Sequence, residues 1–427
     1  MAVRNLLAEG LAYALGTGVK FSNGESFNAD DVVFTLNYIV DPANKIVVYD
    51  KVKWIKSAER LDDYNVRVHL QAAYPAALEL FSMSVPIYPD EYYQKVGASG
   101  MSTKPVGTGP YEVVSVTPGS SITLQKNPEY FASPKPAAKI SKVEIRTVRD
   151  INTQLSELMS GNLDFMWQFP AEVAQKLKRA GDFKVESVET MRIGFLVLDA
   201  MNRSSPKSPM ADIRVRKAMN HAINRDAIVA GLVGEGSKKI ASACSPIQFG
   251  CETDVTEYNY DPAEAKRLLA EAGYPNGFTV EMGAYRDRLL AEAMINDLAA
   301  VGIKINFNMM QNSALGARRM EGSMPLAYLT HGSSSIADVS AITPEFFGLG
   351  KQDYAGDKEI AALLSAAGST IDVAQRKEKY SAAFKLIADR AYWVPLWTYP
   401  STVATSQELN FKATSDELVR FYDMSWN

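Results

Sequence analysis

Histidine and cysteine are scarce in this 427-residue chain, with three His (His69, His221, His331) and two Cys (Cys244, Cys251). So few imidazoles and thiols leave little with which to build a zinc site or a His-based triad. An excess of one charge is missing as well. Lys plus Arg is 45 and Asp plus Glu is 49, a net charge of −4. That balance lacks the basic field that nucleic acid or an anionic membrane requires. No stretch approaches the roughly 18 apolar residues of a membrane span. His-Glu-x-x-His, Gly-x-Ser-x-Gly and the P-loop are all absent, which speaks against an enzyme and against a resident metal or cofactor. No internal repeat or low-complexity tract marks a domain boundary.

What is present is ordinary for a globular protein: 47% apolar and 22% charged residues. The length suits two or three domains, each able to bury a core. In the first fifteen residues Ala12-Tyr-Ala14 fits a small-x-small cleavage site, but Asn5, Glu9 and Gly10 interrupt the apolar run. A secretory leader needs about 7–15 apolar residues there, so none is read. The cysteines point to an oxidising compartment. Cys244-Ser-Pro-Ile-Gln-Phe-Gly-Cys251 is rich in turn formers, and its spacing lets the sulfurs meet in a disulfide. Two unlinked buried thiols are the alternative.

Helix and strand signals alternate along the chain. Asn28 caps a helix with Asp30 and Asp31 in its first turn, and Val66–Leu70 reads as a strand. Thr117-Pro-Gly-Ser120 is a type II turn joining strands at Tyr111 and Ile122. Asp150 caps a helix that Gly161 ends, and Leu163–Trp167 follows as a strand. Asp261-Pro-Ala-Glu264 opens a helix as N-cap, N1 and capping box, and Gly273 closes it. Strand 278–282, a helix carrying Ala291, Met294, Leu298 and Val301, and strand 303–309 then form a βαβ unit.

Candidate site residues follow from this layout. Gly234-Glu-Gly236 lacks a third glycine and follows a helix, and Val106-Gly-Thr-Gly-Pro110 leads into a strand. Neither is a phosphate cradle. His221 reads as a half-buried helix residue and His69 as an exposed strand residue. His331 differs, because His331-Gly-Ser-Ser-Ser335 follows the apolar Leu326–Leu329, and α/β ligand sites gather past strand ends. Trp167 with Gln168, and Trp397 with Tyr399, offer aromatic walls with polar neighbours. For each of these, core or surface packing is the competing reading.

Five ordered segments carry a resemblance. They are Gly18-Val-Lys-Phe-Ser-Asn-Gly-Glu-Ser-Phe-Asn-Ala-Asp-Asp-Val-Val-Phe34; Pro105–Tyr111 with Asn127-Pro-Glu-Tyr130; Leu158-Met-Ser-Gly-Asn-Leu-Asp164; Ile213–Met219 with Ala222–Arg225; and Tyr260–Lys266 through Ala272–Pro275. Together they resemble the large periplasmic solute-binding proteins of ABC importers, the class of dipeptide-, oligopeptide- and nickel-binding proteins. The resemblance implies a two-lobe, hinge-closing α/β fold and a periplasmic, monomeric receptor. Such a receptor delivers a short peptide or amino-acid-like compound to an ABC permease in the inner membrane. Other small solutes (a sugar, an opine-like compound, a metal chelate) and a cytosolic sensor of the same fold are the alternatives.

Lobe one would comprise residues 1–18, 109–199 and 397–427, with an extra subdomain at 19–108, and lobe two residues 200–396. The crossings would lie near Leu198–Asn202 and Leu396–Thr398. Members usually carry a leader and tens of further residues before the segment that begins here at Gly18, so a missing leader and first strand, with an exposed sheet edge in lobe one, are expected. The ligand would be lined by Trp167, Gln168, Trp397 and Tyr399 on one side and His331, Ser333 and Ser334 on the other. Asp338 would take its ammonium end and Arg192 its carboxylate.

Overall fold

The computed structural model of the chain describes residues 2–7, 10–46, 49–133 and 135–427. Met1, Ala8 and Glu9, part of the stretch read for a leader, lie outside the described residues. The first sheet has four antiparallel strands: β1 (Ala2–Leu7), β2 (Gly10–Ala14), β3 (Ile55–Asp62) and β4 (Asn65–Leu70), in the order β1-β2-β4-β3. Helix Ala29–Val40 packs on it. The Asn28 side chain accepts from the Asp30 amide at 2.7 Å, and the Asp31 carboxylate accepts from the Asn28 amide at 2.9 Å. The start expected from sequence is thus a full capping box. Val32, Leu36, Val66 and Val68 bury their side chains in this subdomain's own core.

A three-stranded meander follows: β5 (Tyr111–Thr117), β6 (Ser121–Lys126) and β7 (Lys142–Arg146). Its first turn has Gly119 at φ +72° and a Ser120 amide donating to Thr117 O at 2.9 Å, as a Pro-Gly type II turn requires.

The central sheet adds β8 (Phe165–Trp167), β9 (Phe183–Leu198), β10 (Phe278–Ala284), β11 (Ile303–Met309), β12 (Leu326–His331) and β13 (Trp393–Ser406). Their order is β11-β10-β12-β9-β13-β8. β10 runs parallel to both β11 and β12, the predicted βαβ unit. Strands alternate side chains between faces, so Leu196 and Leu198 enter one apolar core while Ile193, Phe195 and Val197 enter another on the opposite face. Helix Pro262–Glu271 has Asp261 as its cap. Glu264 does not complete the expected capping box: its carboxylate is held by Arg267 at 2.6 and 2.7 Å, a bidentate partner one turn on that outcompetes the cap amide.

β9 and β13 run through both halves of this sheet. β9 pairs with β12 only from Ile193 onward, and β12 ends at His331 opposite Ile193. Before Ile193, β9 runs beside β13 alone. The seam between the sheet halves is therefore the row His331, Ile193, Thr398. The β13 register shifts between Pro395 and Trp397 and again between Thr398 and Pro400. Proline offers no ladder N–H, so these two prolines place a bulge on each side of the seam.

Candidate functional site

The carboxyl ends of β10 and β12 point toward this seam, and such ends are where α/β sheets gather ligands. Two charged clusters stand there. In the first, the Arg192 Nε donates to Glu417 Oε1 and Oε2 at 2.9 and 3.1 Å, and its Nη1 to Thr330 Oγ1 at 3.2 Å. Thr330 Oγ1 also pairs with the Tyr285 hydroxyl at 2.7 Å. The Arg192 and Glu417 side chains are 25% and 13% exposed, so the pair is not sealed from solvent. Gly332 permits the approach, because a Cβ there would sit 2.6 Å from Arg192 Nη2.

In the second cluster, Arg286 Nε donates to Asp287 Oδ2 at 2.7 Å and the guanidinium lies 5.3 Å from the Tyr399 ring centre. The Tyr399 hydroxyl donates to the same Asp287 oxygen at 2.8 Å, and the Tyr328 hydroxyl pairs with that of Tyr399. Burial, with Asp287 nearby, pushes both phenols far above their ordinary pKa, so they stay neutral. For Arg286 burial pulls the pKa down, but Asp287, Tyr399 and Tyr285 outweigh it and raise it. A fixed cation thus stands on a neutral, hydrogen-bonded aromatic base.

Beside these, His331 Nδ1 accepts the Ser333 amide at 2.9 Å and Nε2 lies 3.5 Å from Glu345. Burial raises the Glu345 pKa, but His331, Arg319 and Lys51 outweigh this and hold it below the ordinary range. Ser333, Ser334 and Ser335 all have positive φ, at 51°, 51° and 63°, a strained run for non-glycine residues. Ser333 Oγ and Trp397 Nε1 are buried without a hydrogen-bond partner.

The sequence candidates divide. Arg192, His331, Trp397 and Tyr399 lie on or beside the seam row but not on one face: Trp397 and Tyr399 pack in the Leu196 core, whereas His331 packs on Phe346 of the Ile193 core and Ser334 meets Lys51 of the first subdomain, with Ser333 in the same loop. Trp397 and Tyr399 are 0% and 7% exposed, so they form the floor more than a wall. Trp167 and Gln168 are elsewhere. Trp167 pairs with Val403 at the sheet edge, five residues and roughly 17 Å beyond Thr398. Asp338 is spent. Its carboxylate takes Arg376 Nη1 at 2.6 Å and Nη2 at 2.9 Å with both side chains 6% exposed, and it caps the Ser340 amide. A buried carboxylate requires such a partner, and the ammonium-anchor role expected for it is corrected accordingly. Cys244 and Cys251 form a disulfide.

Sequence reasoning passed over Tyr285, Arg286, Asp287, Tyr328, Thr330 and Glu417. The first three follow the apolar end of a parallel strand, the same signal that singled out His331. Glu417 lies in an irregular segment with no period to read.

The family model for bacterial extracellular solute-binding proteins, family 5 Middle, matches residues 11–353. The glutathione-binding protein GsiB of Escherichia coli O1:K1 / APEC is 28% identical over 96% of this chain and 83% of its own length. Among solved structures, the binding protein MoaA of A. tumefacien R10 in complex with mannopinic acid is 26% identical. It has a TM-score of 0.84 and covers 98% of this chain and 86% of its own. The periplasmic binding protein DppA of Helicobacter pylori in complex with the peptide STSA matches at TM-score 0.85 and 24% identity, covering 98% of this chain and 86% of its own.

Proposed function

Because the chain belongs to the bacterial extracellular solute-binding proteins of family 5, we propose that it is a receptor for a short peptide or similar amino-acid compound. The ligand is held between the lobes and delivered from the periplasm to an ABC importer permease, without any bond being broken. The observation that carries this reading is that two partly exposed ion pairs, Arg192–Glu417 and Arg286–Asp287, each present both signs of charge at the seam. A zwitterion entering a closing cleft loses water at both ends, and each end then needs a charged partner. Arg286 meets the carboxylate. Glu417 meets the ammonium end, the role the sequence reading gave to Asp338. The names of GsiB and of DppA with its peptide agree with this class of ligand.

A sugar–amino-acid conjugate is the second reading. It is favoured by the buried Ser333 hydroxyl, which has no hydrogen-bond partner, and by the mannopinic acid bound to MoaA. Calorimetry with reduced glutathione, di- and tripeptides and mannopinic acid tests both. Arg286→Gln and Glu417→Gln should each weaken the ligand that binds by about 2–5 kcal/mol, or roughly 30- to 4,000-fold. Two variants that both stay within about threefold of wild type overturn the reading.

A further inference from the structure

The loop after β12 holds a buried side chain whose apolar partners lie in another part of the fold. Ile336 is 0% exposed, yet it belongs to the core of the N-terminal subdomain together with Leu80 and Val85. Two polar contacts flank it across the same boundary. The Lys51 ammonium donates to Ser334 Oγ, and the Glu79 carboxylate accepts from the Ala337 amide. The loop is also braced from behind. Gln248 Nε2 donates to Ile336 O at 3.0 Å, the Phe249 amide donates to Ala337 O at 2.6 Å, and the Val339 amide donates to Phe249 O at 3.1 Å. Gln248 and Phe249 lie inside the loop that the Cys244–Cys251 disulfide closes.

We propose that Ile336 is the tooth of an intramolecular latch: it locks the subdomain onto the second lobe and biases the receptor toward its closed form independently of ligand. Parting the lobes exposes the tooth and its socket to water, which disfavours the open state. Every contact of the latch is between protein groups, so the bias acts whatever solute is carried. Ile336 is a positioning residue. Apparent affinity is the intrinsic affinity reduced by the fraction of competent molecules, so the latch tunes binding without touching ligand.

The test uses the full chain with no ligand added and two genetically encoded spin labels. One replaces Leu61 on the subdomain and one Met320 on the second lobe, both 46% exposed, and the disulfide is left intact. Pulsed electron resonance should find a population at the closed separation in the otherwise wild-type chain. Ile336→Asp should reduce that population at least tenfold, Glu79→Ala severalfold, and Ile336→Val should retain it. Melting temperatures should stay within a few degrees if the tooth serves closure and not folding. An unchanged closed population in Ile336→Asp and Glu79→Ala overturns the proposal, as does a wild-type chain without one. Loss of fold in step with loss of the closed population also overturns it, because the residue would then support folding and not closure.

Discussion

Replacing Asp338 by Asn separates a structural carboxylate from a ligand-binding one. Both partners of the Asp338–Arg376 pair are 6% exposed, and the two carboxylate oxygens take the two terminal guanidinium nitrogens at 2.6 and 2.9 Å. Arg376 is enclosed further by a bond from its Nε to Ala367 O at 3.1 Å and by the Phe249 and Tyr380 rings, at 4.9 and 5.3 Å. Removing the negative charge strands a guanidinium with no route to water, which costs about 3–5 kcal/mol. Asn keeps one acceptor for the Ser340 amide, so Asp338→Asn falls near the lower end. Asp338→Ala also loses that cap, adding about 1 kcal/mol. Urea unfolding at pH 7 reads both. Adding Arg376→Met to Asp338→Asn should restore about half the loss, since no unpaired charge then remains. A cost under about 1 kcal/mol for Asp338→Asn, with no recovery in the double variant, would refute the assignment.

Three further outcomes are expected. Gly194→Ala places a Cβ 3.0 Å from Tyr399 Cε2 and 3.3 Å from Trp397 Nε1, so it should cost about 1–3 kcal/mol and shift tryptophan emission; an unperturbed spectrum counts against tight packing at the seam. Cys244→Ser with Cys251→Ser should lower stability by about 2–3 kcal/mol, and identical urea midpoints for oxidised and double-variant protein would contradict this. Burial raises the Asp416 pKa, but Arg420, Thr414 and the Leu418 amide outweigh it and hold it at about 2. Its folded pKa lies below the unfolded one, so its contribution is present above about pH 4 and is lost as pH falls through about 2. Arg420→Gln should flatten that part of the stability profile, and an unchanged slope would remove Asp416 as its source.

Local chemistry was legible where a few neighbouring residues decide the outcome. Asn28, Asp150 and Asp261 each cap the helix expected from their position. Thr117-Pro-Gly-Ser120 turns as its proline and glycine dictate. The parallel pairing of β10 with β11 followed from the strand–helix–strand spacing. Pairings across long stretches of chain were not legible. Asp338 finds Arg376 through the packing of a later helix, and Tyr399 meets Tyr328 and Asp287 from three separate elements. Trp167 reads as a wall residue from its aromatic character alone, yet register places it at the sheet edge. Glu417 and the socket around Ile336 become visible only when the chain has folded.

The proposed function rests on one motion, two lobes closing on a solute at the seam. Small-angle scattering of the chain, without and with saturating ligand chosen by the calorimetric series, reports that motion. Even with the latch, an open population remains for the ligand to draw down. The radius of gyration should fall on saturation of the wild-type chain. An unchanged radius at demonstrated saturation would contradict closure.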